Sequence, residues 1–260
     1  MTSGRGELPA QRQRDIANYL LTHSTSTAQE LAQRFNVSLV TAHRDLDALA
    51  RKGVVRKFHG GVTAQPSSVF ESSIEYRTGA ALNEKRAIAA RAADLVQPGM
   101  SVLVDSSTTN LHLLDPLETL RPLTLITNFV PVVSRVSQWE DVRLVVLGGE
   151  YDARHASMHG IACEDAAGRV RADIGFFSFA GIDERGVYHP EQEVAASKRA
   201  MLATATRRVI LADSSKLGRT ALHWLAPLDD FEQLITDNCA PADVVAGLRS
   251  RDIEVIVEES

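Results

Sequence analysis

Residues 37–61 read VSLVTAHRDLDALARKGVVRKFHGG, and this stretch decides the fold of the first part of the chain. Ser38 can cap a helix on which Ala42, Leu46 and Leu49 share one apolar face. The start of this helix is polar and basic, and its end is followed by a short apolar strand that carries Arg, Lys and His. The pattern predicts an amphipathic helix with an exposed basic start, followed by a basic wing.

Two more helices are predicted before this stretch. The first begins near residue 12, and its apolar stripe consists of Ile16, Leu20 and Leu21. Thr27 and Glu30 fit a capping box at the start of the second helix, and Asn36 tolerates the left-handed turn that ends it. Three helices and a basic wing predict a winged helix-turn-helix head, a fold in which one helix enters the major groove of DNA.

The exposed side chains of the third helix and the wing are the candidate DNA contacts. Residues near the helix start would read base edges or clamp phosphates, whereas wing residues would add affinity without sequence information. The candidate set consists of Ser38, Thr41, His43, Arg44, Arg56, Lys57 and His59. A helical hairpin that binds nothing, or one that docks a protein, has the same periodicity. The ordered set of cap, exposed polar residues and basic wing favours DNA.

The charge of the chain is unevenly distributed. Residues 1–61 contain nine Lys or Arg residues and five acidic ones, a net charge of +4. The whole chain carries −5, so the remainder carries −9. A basic head joined to an acidic body is typical of a nucleic-acid-binding module attached to another domain.

The stretch also resembles the DNA-binding head of DeoR-type bacterial regulators, whose pattern is roughly VSxxTIRRDLxxLxxxGxxxRxHGG. Residues 37–61 match most of the specified positions. Two of the departures from the pattern are Ala42, where the family usually has Ile, and His43, where it usually has Arg. Ala42 fills less of the core, and His43 replaces a permanent charge with one that depends on pH. The resemblance implies a homodimer or homotetramer that binds double-stranded operator DNA, because paired half-sites multiply affinity.

Length and composition limit the classes of protein to which the chain can belong. The head takes about sixty of the 260 residues, which leaves enough for one α/β domain with a proper core. Cys163 and Cys239 lie far apart without a CxxC motif, a pattern that predicts a reduced compartment and no structural zinc. The chain has no apolar run of the roughly 18 residues that span a bilayer and no apolar signal core. A cytoplasmic protein without a membrane partner is therefore expected.

The rest of the chain predicts an α/β domain. Residues 1–62 are assigned to the head, 63–82 to a linker that includes the polar stretch TAQPSSV, and 83–260 to the second domain. A helix is predicted from about residue 84 to residue 96. It is followed by short apolar runs at 101–105, 123–127, 142–149, 174–182, 208–213, 233–237 and 253–258. Such runs, alternating with helices, are typical of a mostly parallel sheet that binds ligands at the carboxyl ends of its strands.

Polar and glycine-rich residues follow five of these runs. After the first run come Asp105 and residues 106–109, whose hydroxyl and N–H groups at the start of a helix suit a phosphate. The next four ends carry Asn128, Gly148 with Gly149, Gly181 with Asp183, and Asp213 with Lys216. Each end alone is an ordinary turn or helix cap, but their convergence at one edge of a sheet predicts an anion site.

The second domain resembles the sugar-phosphate-sensing half of the DeoR family. The resemblance is carried by NEKRAIA, DSSTT, ITN, LGG, RAD, AGID, EVAASKR and LADSSKLG. That half is similar in fold to ribose-5-phosphate isomerases and glucosamine-phosphate deaminases. Ser107 stands where the family more often has Gly in DxGTT, which costs backbone freedom but leaves the anion-binding groups in place. The resemblance implies a phosphorylated sugar as the effector.

The implied effector site consists of Asp105, Ser107, Thr108, Thr109, Asn128, Gly148, Gly149, Glu193, Lys198, Asp213 and Lys216. The loop hydroxyls would hold the phosphate, Lys216 would neutralise its charge, and Asp213 would orient Lys216 or a hydroxyl. Asp105 and Asn128 would bond sugar hydroxyls, and the glycine pair would make room for the sugar.

Two pairs of residues leave alternatives open. Glu193 and Lys198 either line the effector site or belong to a solvated helix face, which is the default for such side chains. His155 and His159, four residues apart, could share a metal ion. No carboxylate at a useful spacing completes that set, so ordinary loop residues and no metal site are expected.

Two functions compete at this point. The first is a repressor of a sugar-metabolism operon that a phosphorylated sugar releases from its operator, because the sugar binds one quaternary state better than another. The second is a sugar-phosphate isomerase or deaminase with a DNA-binding head, for which Asp105, Asp183, Glu193 and His189 are candidate bases. No evident pair of carboxylates or Asp–His set accompanies the phosphate loop, so the sequence favours a regulator without catalytic residues or a cofactor.

Overall fold

The structure is a computed structural model that describes residues 9–23, 25–64 and 74–259. The described residues form two compact units, divided between Ala80 and Ala81. The first unit contains the predicted winged helix-turn-helix, and the second contains the predicted α/β sheet. No helix in the described ranges is long and apolar enough to cross a membrane.

The first unit is built from short helices and a small antiparallel sheet. Its elements are α1 (Pro9–His23), β1 (Thr25–Ser26), α2 (Ala28–Arg34), α3 (Leu39–Arg51), β2 (Val55–Phe58), β3 (Gly61–Ala64) and α4 (Ile74–Gly79). The sheet has the order β1-β3-β2. Its core joins the three predicted helices to the wing and includes Ile16, Leu20, Leu31, Leu46, Leu49, Val55 and Val62.

The predicted caps and turns of this unit are confirmed. The hydroxyl of Thr27 accepts the N–H of Glu30 at 3.1 Å, and the Glu30 carboxylate accepts the N–H of Thr27 at 2.9 Å. Asn36 has a φ of 50°, which makes the tight turn between α2 and α3. Ser38 is the N-cap of α3. The side chain of Leu21, predicted for the first apolar stripe, lies outside the described part of the chain.

Part of the segment predicted as a linker has regular structure. Thr63 and Ala64 belong to β3, and Thr63 pairs with residues of both neighbouring strands. On so narrow a sheet these residues are only half-buried, and their composition therefore resembles that of a linker. The later part of the predicted linker contains α4, from which Tyr76 packs against the core of the first unit. Residues 65–73 lie outside the described residues, and the domain boundaries stay a prediction.

The second unit is organised around a parallel sheet. Its strands are β4 (Ser101–Val104), β5 (Leu123–Thr127), β6 (Val142–Val146), β9 (Ala172–Phe177), β12 (Ala205–Leu211), β14 (Gln233–Asp237) and β15 (Glu254–Glu258). Their order is β15-β14-β12-β9-β4-β5-β6, and all neighbouring strands are parallel. Each predicted apolar run supplies one strand of this sheet, and the predicted fold class is confirmed.

Helices and two small antiparallel sheets complete the second unit. The helices are α5 (Leu82–Ala93), α6 (Leu114–Leu117), α7 (Val130–Val136), α8 (Ile161–Gly168), α9 (Gln192–Leu202) and α10 (Ala242–Arg249). Single 3₁₀ turns cover Asn110–Leu113, Ser214–Lys216 and Leu228–Asp230. The small sheets are a hairpin of β7 (Glu150–Asp152) and β8 (Ser157–His159), and the group β10 (Gly181–Asp183), β11 (Gly186–His189) and β13 (His223–Ala226).

The run at 174–182 is not one strand, which corrects the prediction for the fourth strand end. β9 ends at Phe177, and Gly181 and Asp183 belong to β10 of a separate sheet. Both segments are buried, so the apolar pattern continues across the break. A Cβ on Gly181 would lie 2.6 Å from the carbonyl oxygen of Arg219, so the glycine serves close packing of the backbone. Asp183 accepts the Tyr188 hydroxyl at 2.9 Å within the same small sheet.

Candidate functional site

The first turn of α3 is held by two of the candidate DNA contacts. The hydroxyl of Ser38 accepts the N–H of Thr41 at 3.1 Å and lies 2.9 Å from the Thr41 hydroxyl. Thr41 is half-buried, whereas His43 and Arg44 are exposed. Ser38 and Thr41 therefore build the start of the helix, whereas the side chains of His43 and Arg44 extend into solvent.

A buried ion pair fixes the orientation of α3. Asp45 is 3% exposed, and its carboxylate accepts from Nε of Arg12 at 2.6 Å and from Nε2 of Gln13 at 3.0 Å. Both partners lie on α1. A buried carboxylate is tolerated when it is paired and hydrogen-bonded. The pair therefore joins the helix of the candidate DNA contacts to α1.

The wing carries Arg56, Lys57 and His59, all of them exposed. Gly60 at its tip has a φ of 91°, a conformation that glycine adopts readily and that allows the hairpin to turn. Lys57 Nζ donates to the Asp47 carboxylate of α3 at 2.5 Å, and this hydrogen bond lowers the pKa of Asp47. The expected phosphate contact at Lys57 is therefore partly neutralised by an acidic residue of the same surface.

In the second unit, Asp105 follows β4 and is fully buried. Its Oδ1 accepts Nδ2 of Asn110 at 2.7 Å, and its Oδ2 accepts the N–H of Ser178 at 3.1 Å and a proton of Lys198. Both carboxylate oxygens are thus occupied by protein donors. The predicted hydrogen bond from Asp105 to a sugar hydroxyl stays a prediction, and the observed contacts join β4 to β9 and α9.

Lys198 lies in the interior and not on a solvated helix face. Its side chain is 2% exposed, it pairs with Asp105 and donates to the carbonyl of Ser178 at 2.9 Å, and Nζ lies 5.6 Å from the centre of the Phe179 ring. The solvated alternative is therefore wrong for Lys198. Glu193, on the first turn of the same helix, is exposed. The structure does not place these two candidates in the same environment.

The loop after β4 combines hydroxyl groups with a buried ammonium group that the sequence analysis did not select. Lys85 of α5 is 3% exposed, and its Nζ donates to the Thr108 hydroxyl at 3.1 Å. Ser107 accepts the N–H of Asn110 at 3.1 Å. Thr109 is buried directly before the 3₁₀ turn. The NEKRAIA motif contains Lys85, but a lysine on a helix is solvated by default and so gave no signal of burial.

Two buried oxygens at neighbouring strand ends lack a partner. Asn128 donates through Nδ2 to the carbonyl of Met158 at 2.8 Å, while its Oδ1 has no hydrogen-bond partner among the described residues. The same is true of the Ser106 hydroxyl. A buried polar atom without a partner costs free energy, and it points to a ligand or water that would supply the missing hydrogen bond. β4 and β5 are adjacent, so both atoms belong to one edge of the sheet.

The two glycines after β6 differ in their surroundings. A Cβ on Gly148 would meet nothing within 4 Å, so space adjoins this position. Gly149 has a φ of 133°, and a Cβ there would lie 2.3 Å from the carbonyl oxygen of His159. Gly148 therefore fits the prediction of room for a ligand, whereas Gly149 allows the β7–β8 hairpin to pack closely.

Asp213 and Lys216 follow β12, two strands away from β4. Asp213 is buried and accepts the N–H of Ser215 at 3.2 Å and the hydroxyl of the same residue. Asp213 therefore orients the hydroxyl of Ser215, and its predicted role in the effector site stays a prediction. Lys216 is half-buried and forms no ion pair with any described residue. A half-buried lysine at a strand end remains available to an anion.

A histidine-rich cluster lies where the β7–β8 hairpin meets the start of α9. Nε2 of His155 lies 3.0 Å from the Glu191 carboxylate and 4.0 Å from that of Asp152, so the expectation that no carboxylate accompanies these histidines is wrong. Arg154 contacts both carboxylates, at 3.4 Å for Asp152 and 3.1 Å for Glu191. Burial, helped by the charges of His155 and Lys198, lowers the pKa of His159 to about 4. The cluster joins the hairpin to α9 through ion pairs and hydrogen bonds.

Comparison with family models identifies both units. Residues 12–68 match the model described as the DeoR-like helix-turn-helix domain, and residues 80–238 match the model described as the DeoR C terminal sensor domain. The chain belongs to the DeoR family of transcriptional regulators. The resemblance found in the sequence is thereby confirmed.

Similar proteins extend over almost the whole chain. The HTH-type transcriptional regulator YgbI of Escherichia coli K12 is 30% identical over 254 residues, which cover 97% of this chain and 99% of that protein. The L-fucose operon activator of Haemophilus influenzae and the glycerol-3-phosphate regulon repressor of Escherichia coli K12 are each 28% identical, over 93% and 94% of this chain and 97% of each relative. Among solved structures, ribose 5-phosphate isomerase A from Methanocaldococcus jannaschii is 18% identical with a TM-score of 0.38, and the match covers 53% of this chain and 54% of the isomerase.

Proposed function

We propose that the protein represses a sugar-metabolism operon by binding duplex DNA through α3 and the wing, and that a phosphorylated sugar at the strand ends of the second unit releases it. The observation that carries this proposal is the loop after β4. There four hydroxyl-bearing residues, 106–109, follow one another beside the buried ammonium of Lys85, and the buried hydroxyl oxygen of Ser106 has no partner among the described residues.

The chemistry of this loop suits a phosphate ester. A lysine ammonium and small hydroxyl groups are donors that phosphate oxygens accept. Oδ1 of Asn128 is an acceptor only, so it would take a hydrogen bond from a ligand hydroxyl group. A ligand that offers a phosphate at one end and hydroxyl groups at the other satisfies both sets of atoms. The names of two relatives, which refer to L-fucose and to glycerol-3-phosphate, agree with a ligand of this class.

Binding without turnover is part of the proposal. An isomerase or deaminase needs a base within hydrogen-bond reach of the sugar. Asp105 is neutralised by Lys198, Asp183 holds Tyr188 in another sheet, and Glu193 is exposed. Nδ1 of His189 accepts the N–H of Glu191 at 3.1 Å. Each candidate base is thus engaged elsewhere or lies in solvent, which supports a sensor in preference to an enzyme.

Titration with individual sugar phosphates tests the proposal. Full-length protein is bound to a labelled duplex of the neighbouring promoter region, and each compound is added while DNA release and product formation are followed. We expect one phosphorylated sugar to release the DNA without being converted. Conversion of the sugar would favour the enzyme, and failure to bind any duplex at low salt would overturn the regulator.

Lys216 offers a variant for the same assay. Lys216→Ala should bind the duplex as the wild type does but should need more sugar phosphate for release, because the half-buried ammonium no longer balances the phosphate charge. Normal release from this variant would place the phosphate away from the end of β12.

We propose that a homodimer or homotetramer binds the DNA. Sedimentation of the protein–DNA complex measures its oligomeric state.

A further inference from the structure

Two apolar side chains are exposed at the start of α3. Leu39 is 48% exposed and Val40 is 65% exposed, and they are the first two residues after the cap Ser38. Each side chain leaves apolar surface in contact with water, which costs solvation free energy that burial would recover. Their contacts within the first unit therefore do not explain why apolar residues occupy these positions.

The surroundings of this pair are polar and cationic. Further along the exposed side of α3 lie His43, Arg44 and Arg51, and Arg56 is exposed on the wing. A protein partner that buried Leu39 and Val40 would also have to satisfy these cations. Duplex DNA offers phosphates to the cations and, in the major groove, one apolar group among its base edges, which is the C5 methyl group of thymine.

We propose that Val40, with Leu39 beside it, contacts thymine methyl groups and so selects thymine at one or two positions of each operator half-site. The inference rests on the proposed function and names the base that the start of α3 selects. The residues at the start of a recognition helix are those that reach base edges. A valine has no hydrogen-bonding atoms and few rotamers, so it can distinguish thymine from cytosine only by contact with the methyl group.

Substitution of uracil for thymine isolates this contact. Uracil removes the C5 methyl group and leaves base pairing and phosphate charge unchanged. Duplexes that bind full-length protein are selected from a random-sequence pool, and the enriched duplex is then remade with one thymine at a time replaced by uracil. We expect wild-type affinity to fall about fourfold at one or two positions per half-site, the value of burying one methyl group.

Val40→Ala tests whether that residue makes the contact. The side chain is exposed and alanine favours helices, so the variant should fold as the wild type does. We expect it to bind the thymine duplex more weakly and to lose the response to uracil, with Leu39→Ala as a second variant. Leu222→Ala is the matched control, because Leu222 is 63% exposed in the second unit, and it should keep the wild-type response.

The outcomes separate this inference from the proposed function. If no duplex is enriched from the pool, the protein does not select DNA and both proposals fail. If a duplex is enriched but no uracil substitution changes its affinity, the inference fails while the proposed function stands. Retention of the full response by both Val40→Ala and Leu39→Ala would likewise overturn the inference.

Discussion

Arg44 is an exposed residue near the start of α3 whose charge does not depend on pH, so its removal is a direct test of the proposed DNA interface. Arg44→Ala should weaken binding to a selected duplex by about tenfold or more, since one base or phosphate contact is lost. The melting temperature should stay close to that of the wild type. Arg143→Ala, which removes an exposed arginine from β6, is the matched control and should bind DNA normally. An unchanged DNA affinity of the Arg44→Ala variant would mean that this part of α3 does not contact DNA.

Substitution of Lys85 tests, again at the level of one residue, whether the loop after β4 binds the phosphate. Lys85→Met keeps the aliphatic length of the side chain and removes the ammonium group that donates to Thr108. We expect normal DNA binding, but at least about tenfold more sugar phosphate should be needed for release, because a charge-assisted hydrogen bond to the phosphate is lost. Arg86→Met, at the exposed neighbouring position on α5, should respond as the wild type does. Equal responses of both variants would place the phosphate elsewhere.

Individual residues were predictable where their environment is local. Ser38 caps α3 and Asn36 makes the preceding turn because each acts on backbone within three residues of itself. The burial of Lys85 and Lys198 depends on elements far away in the chain. Both lysines lie on helices, where exposure is the default, and sequence spacing does not reveal the interior partners that make their burial tolerable.

The β7–β8 hairpin makes the second unit sensitive to acid. Folded His159 takes up a proton only at about pH 4, whereas the unfolded chain does so near the ordinary pKa of 6.5. The unfolded state therefore binds the extra proton between these values. The stability contribution is present above pH 6.5 and is lost as the pH falls towards 4, with a total of on the order of 3 kcal/mol.

The measurement is the melting temperature of the protein from pH 7 to pH 5. His159→Gln should show a flatter dependence on pH than the wild type, whatever its stability at pH 7. His223→Gln, at a half-exposed position in β13, is the control and should keep the wild-type slope. A wild-type slope in His159→Gln would mean that other groups cause the acid sensitivity.

Helices and strands could be predicted from the sequence where buried and exposed residues follow a regular pattern along the element. Strands β4, β5 and β14 of the parallel sheet are buried over nearly their whole length, so each appears as a continuous apolar run. In the β7–β8 hairpin, β7 is exposed or half-buried and β8 is buried or half-buried, each over only three residues. Too few residues are present there for an alternating pattern to emerge. The break between β9 and β10 was missed because both sides of it are buried.

Net charge is a property of the whole molecule. Residues 1–61, the head, carry a net charge of +4, and the rest of the chain carries −9. The slope of log affinity against log salt concentration is proportional to the number of phosphates that the head neutralises. The Asp47 carboxylate accepts a hydrogen bond from Lys57, so Lys57 is less available to neutralise a phosphate. Asp47→Asn should therefore steepen the slope of log affinity against log salt by about one for each head bound.

The control for this prediction is Asp165→Asn, which removes an exposed carboxylate from α8 of the second unit. It changes the net charge of the molecule by the same amount and should leave the salt slope unaltered. If both variants steepened the slope equally, the effect would come from net charge and not from Lys57.

The ion pair between Arg12 and Asp45 has a consequence for how this protein could diverge. The side chains that hold α3 in place lie on α1, outside the candidate DNA contacts, and the Asp45 carboxylate that they bind is buried. A substitution at Arg12 would reorient or loosen α3 without altering any of the candidate DNA contacts. Homologous regulators with identical candidate contact residues could therefore differ in their operators because of a residue outside that set.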